Sequence, residues 1–111
     1  MTELPEPTFT KEQRVELYSN LLINDLQKSI AIYIVKESLV SSFYNFSDFF
    51  LKQKIVDDEV KQCLKQKIIK ILQDKGYKLA YAFNKTGLII ARDAEERSKS
   101  VWRTNLDYTE L

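Results

Sequence analysis

Every residue that could break regular backbone lies near the ends of this 111-residue chain. The prolines are Pro5 and Pro7, the glycines Gly76 and Gly87, and the 68 residues from Thr8 to Lys75 contain neither type. Glycine and proline are the residues most costly inside a helix, so such a stretch suits helices with no internal breaker. The two glycines then frame a run that alternates like a β-hairpin. The fold expected is therefore α+β: two or three helices packed on a short antiparallel C-terminal hairpin or three-stranded sheet.

The helices show in the spacing of apolar residues. Thr10 with Gln13 forms a capping-box pair. Val15, Tyr18, Leu22, Leu26, Ile30 and Tyr33 then recur at steps of three and four, with Leu21 and Ile34 widening the stripe. This predicts a helix from about Lys11 to Glu37, roughly 40 Å long. Alternation in Ile30–Ile34 makes a strand the competing assignment there. Residues 38–47 are interrupted by serines and an asparagine, which favour turns and caps, and Ser47 is placed to cap a short helix carrying Phe49, Phe50 and Leu51. Asp57 opens the clearest helix, with Val60, Leu64, Ile68, Ile71 and Leu72 on one stripe, and Gly76 closes it.

Beyond Gly76, Tyr77, Leu79, Tyr81 and Phe83 are expected on one face of the hairpin, with Lys78, Ala80 and Ala82 on the other. Asn84–Gly87 suits a turn whose last residue has positive φ, and Leu88 to Arg92 returns as the second strand. Asp93–Ser100 is polar and expected to be solvated. The expected organisation is an extended arm at 1–9, one domain at 10–96 and a C-terminal tail at 97–111.

The absence of histidine removes the commonest general acid–base and the commonest transition-metal ligand. The single cysteine, Cys63, would need an activating partner to act as a nucleophile; its position three residues after Val60 and one before Leu64 puts it beside the apolar stripe, and a buried structural thiol is expected. Asp57-Asp58-Glu59 has the composition of a cation site, but it also makes the acidic first turn of a helix, where carboxylates offset the dipole. The second reading is preferred. No phosphate-gripping glycine loop is present. No catalytic residue, cofactor, metal or small-molecule substrate is therefore expected.

Net charge is +1, unevenly spread: −3 over residues 1–51, +6 over 52–92 and −2 over 93–111. Lys61, Lys65, Lys70, Lys78, Lys85 and Arg92 carry much of the basic middle. Helix, turn and basic hairpin is the order of a winged-helix unit, so nucleic-acid binding through these residues is the alternative function. Lysine-rich helix faces are more often simply solvated, and the first expectation is a non-enzymatic protein acting by protein–protein contact, self-association included. Phe9, Trp102, Leu106 and Tyr108 are the candidate partner-binding residues, because solvated arms have no need of them. For Trp102, packing on its own domain and docking into a partner both stay open.

The longest strictly apolar run, Ile30 to Val35, is six residues, against the roughly 20 that span a bilayer. The acidic start lacks the apolar stretch of a signal peptide, and one cysteine allows no internal disulfide. An intracellular, cytoplasmic setting without membrane contact is expected.

The stretch Leu64-Lys-Gln-Lys-Ile-Ile-Lys-Ile-Leu-Gln-Asp-Lys-Gly-Tyr-Lys-Leu, followed by Leu88-Ile-Ile-Ala-Arg, resembles a module of small accessory and virion proteins of tailed phages and large DNA viruses. In that module a lysine-rich helix ends at Gly-Tyr and opens into a hairpin. Within residues 57–92 the resemblance implies a viral accessory or structural role in the host cell or virion, and it carries over no functional residues. A composition rich in Lys, Ile, Asn, Tyr and Phe is similar to that of proteins from AT-rich viral genomes.

Overall fold

The computed structural model describes residues 9–36, 41–100 and 108–111. Thr10 caps the first helix, α1 (Lys11–Val35), through the reciprocal pair expected: its Oγ1 accepts the Gln13 amide at 3.2 Å, and its own amide donates to Gln13 Oε1 at 2.8 Å. Ile30–Ile34 is helical, and α1 ends two residues before Glu37, at Val35. A short strand, β1 (Ser42–Asn45), leads directly into α2 (Phe46–Lys52). Asn45, not Ser47, caps α2, accepting the Asp48 amide at 3.2 Å. Asp57 caps α3 (Asp58–Asp74) with bonds from the Glu59 and Val60 amides. At its other end Gly76 takes φ +96°, while the Tyr77 and Gly76 amides donate to the Leu72 and Gln73 carbonyls. This is a Schellman closure, and it turns the chain into the sheet.

β2 (Lys78–Ala82) and β3 (Gly87–Ala91) form the hairpin. It is not the edge of the structure. β1 pairs antiparallel with β3, and β4 (Thr109–Glu110) pairs antiparallel with β2, giving the order β1-β3-β2-β4. The sheet thus has four strands among the described residues, where two or three were expected. The run Leu88-Ile-Ile-Ala is buried along its whole length, as a central strand covered on both faces must be.

One face of the sheet carries Tyr44, Leu79, Tyr81, Leu88 and Ile90 and joins Leu22 and Leu26 of α1 with Val60, Leu64, Ile68 and Leu72 of α3 in the main core. The other carries Ala80, Ala82 and Ile89 against Phe43 and Tyr108. Phe83 departs from the expected row. It starts the turn and meets Phe43 edge-on, with centroids 5.5 Å apart. The turn also differs: Phe83, Asn84 and Lys85 hold the positive φ values, and Gly87 does not. Gly87 leaves room for the Phe43 ring, whose far edge would have to move to admit a Cβ there.

Asp93–Ser100 is mostly solvent-exposed, as expected, but it is not irregular. Asp93 caps a one-turn helix, α4 (Ala94–Ser98), and Ser100 is buried. The expected start of a tail at 97 therefore falls inside α4. Arg97 reaches back to the sheet, where it donates to the Leu79 and Leu111 carbonyls and pairs with Glu110 at 2.6 Å. No helix of the described residues is long and apolar enough to cross a membrane.

Candidate functional site

α1 carries several apolar side chains that the core does not use; outside it, Leu51 and Val56 are also strongly exposed. Its inward face buries Ser19, Leu22, Leu26 and Tyr33, with Val15, Tyr18, Ile23 and Ile30 packed at the margin. Leu21 and Ile34, expected to widen this stripe, are instead about half exposed, and so are Leu17 and Ile32, while Val35 is 78% exposed. At the N-terminal end of this outer face, Phe9, Arg14, Leu17, Tyr18, Asn20 and Leu21 line an open hollow. Phe9 is thus brought beside Leu17 and Leu21. The sequence shows Ile32 and Val35 only as part of the apolar run Ile30–Val35, and its one signal for Leu17 is the pair with Leu21, one helical turn apart and off the core stripe.

Between the C-terminal halves of α1 and α3 lies a groove of about 330 Å³. Its lining is almost wholly apolar: Leu26, Ile30 and Ile34 on one side, Ile68 and Ile71 on the other, and Tyr77 at the floor. Lys75, Gln27 and Tyr77 supply the polar part of its lining. A packed helix pair normally leaves no such space.

The six basic residues named from the sequence do not form one surface. Lys61 and Lys65, one turn apart on α3, sit over the Phe50 and Phe46 rings at 5.8 Å from each centroid. Lys65 Nζ donates to the Lys85 carbonyl at 2.8 Å. Burial, followed by the neighbouring charges of Lys85 and Lys61, pulls the Lys65 pKa down. These three meet at the turn end of the hairpin. Lys78 and Arg92 lie at its opposite end, and Lys70 is exposed farther along α3. Arg92 is engaged within the fold: its guanidinium binds Glu96 through Nε at 2.8 Å and Nη2 at 2.9 Å and lies over the Tyr33 ring. The hairpin strands form the centre of the sheet, with the turn residues Asn84 and Lys85 exposed at one end.

Cys63 is exposed, contrary to expectation. It stands roughly 100° around the helix from Leu64, which carries it off the buried stripe. Asp57, Asp58 and Glu59 are the capped first turn of α3; Lys11 pairs with Asp57 and Glu59. No group of three or more metal-ligating side chains occurs among the described residues. Tyr108 packs on the second sheet face, and Trp102 and Leu106 lie outside the described residues. No protein-family model, curated protein or solved structure matches this chain.

Proposed function

We propose that this protein acts without catalysis, through contacts with other protein chains and with copies of itself, inside a cell or within a virus particle. The observation that carries this reading is the outer face of α1, where Leu17, Leu21, Ile32 and Val35 stay exposed although the domain already has a closed core. Apolar area left in water costs about 25 cal/mol per Å² relative to burial, and the two apolar clusters, Leu17 with Leu21 and Ile32 with Val35, are surface that a partner can cover. The resemblance of residues 57–92 to small virion and accessory proteins belongs to the same reading.

Light scattering on the purified full chain tests it. The mass should rise above the 13.1 kDa of one chain as concentration increases, and Leu21→Glu should return it to monomer without lowering the melting temperature. A wild-type mass that stays monomeric up to near-millimolar concentration would defeat the self-association reading.

A second reading rests on the convergence of Lys61, Lys65 and Lys85, whose like charges face the same solvent corner. Phosphate oxygens of a nucleic acid are the ligand such a corner would attract. Salt-sensitive binding of a generic duplex, weakened by Lys61→Glu with Lys65→Glu, is the expected result. No micromolar binding at low salt removes this reading.

A further inference from the structure

We propose that the partner of the α1 outer face is α1 of a second copy, packed antiparallel about a two-fold axis at position 26; this rests on the contact reading above and gives it a register. The exposed row on the outer side of α1 is Leu17, Leu21, Asn24, Lys28, Ala31 and Val35, of which Ala31 also borders the α1–α3 groove. Its steps alternate between four and three and average about 3.6, so the row runs straight along the helix. These positions mirror one another about 26. In an antiparallel pair Leu17 meets the partner's Val35, Leu21 meets the partner's Ala31, and Asn24 meets the partner's Lys28. Each contact occurs twice, as an isologous interface requires.

Three features select this arrangement. The first is size: each leucine faces a smaller residue, so the layers interdigitate, whereas a parallel pair would set Ala31 on Ala31 and leave a gap. The second is charge. A parallel pair would bring two Lys28 ammonium groups together in the seam, while the antiparallel pair places each beside the partner's Asn24, whose Oδ1 can accept a hydrogen bond from it. A polar central layer of this kind fixes register at some cost in stability. The third is shape. The open hollow beside Phe9, Leu17, Tyr18 and Leu21 lies at one end of the face, and the most exposed side chains, Ile32 and Val35, project at the other. Antiparallel pairing seats each projection in the partner's hollow.

The row is short and polar at its middle, so the dimer is reversible and concentration-dependent. Cysteine cross-linking of the full chain tests the register. In a Cys63→Ser background, Leu17→Cys with Val35→Cys should yield a covalent dimer on oxidation, and either single variant should not, because like positions lie roughly 27 Å apart along the helix. Efficient linkage by Leu17→Cys alone would mean a different arrangement and overturn the proposal. A charge pair gives an independent check: Leu21→Lys and Ala31→Glu should each abolish association, and the two together in one chain should restore it. Failure of both the double-cysteine linkage and this rescue, in folded protein, sinks the register. If wild type still associates and Leu21→Glu still prevents it, the α1 contact stands and only the antiparallel pairing is lost.

Discussion

Gly87 lies against the far edge of the Phe43 ring, so closely that a Cβ at position 87 would overlap that edge unless the ring moved. Phe43 comes from β1 and Gly87 opens β3, and Phe83 closes on the same ring from the turn. One missing side chain thus lets three aromatic and turn residues meet on the second face of the sheet.

Gly87→Ala should accordingly destabilise the domain by about 1–3 kcal/mol, the usual range for overpacking. Phe43→Ala empties the space the new methyl needs, so the double variant should lose less than the sum of the two single losses. Additive losses in chemical denaturation would mean the ring is not what excludes a side chain at 87.

Tyr33 joins α1 to the far side of the sheet. Its hydroxyl accepts the Arg92 amide at 3.0 Å and donates to Glu96 Oε2 at 3.1 Å. Burial raises the Tyr33 pKa, whereas the Arg92 guanidinium, followed by the Tyr33 hydroxyl, holds the Glu96 carboxyl below its ordinary range. A carboxyl depressed on folding stabilises above its ordinary pKa, and that contribution fades as pH falls through the folded value. Glu96→Gln should therefore lower stability at neutral pH and flatten the decline below the ordinary glutamate range. Parallel acid limbs for variant and wild type would contradict the pairing.

Ile68 is buried in the main core between α1, α3 and the sheet. Ile68→Ala should cost about 2–4 kcal/mol, the range for emptying a packed site. Because Ile68 also lines the α1–α3 groove, relaxation into that space sets the value toward the low end. A loss below about 0.5 kcal/mol in denaturant melts would mean that this part of the α3 stripe is not core.

The helices were legible because their signals are local. Thr10 with Gln13, Asp57 and Gly76 each act through their own backbone neighbourhood, and the α3 stripe has one period throughout. β1 was missed because its serine and asparagine favour turns when taken alone, while its strand state depends on pairing with β3, nearly fifty residues later. The missing neighbour did leave a trace, since the unbroken apolar run Leu88–Ala91 belongs to a strand covered on both faces. α4 carried an unheeded start signal in Asp93 followed three residues later by Glu96. On α1 the core stripe was readable, yet Leu21 and Ile34 were assigned to it. Periodicity says which residues share a face, and only the position of α3 and the sheet decides where the buried face ends.

The central claim is that the outer face of α1 is the contact surface, and amide NMR spectra of the full chain across a dilution series test it most directly. Concentration-dependent shifts should cluster from Leu17 to Val35 and at Phe9, leaving Lys61, Lys65, Lys85 and the β4 edge unchanged. Spectra that do not change from micromolar to near-millimolar concentration, or changes confined to the sheet edge or the lysine corner, would contradict it.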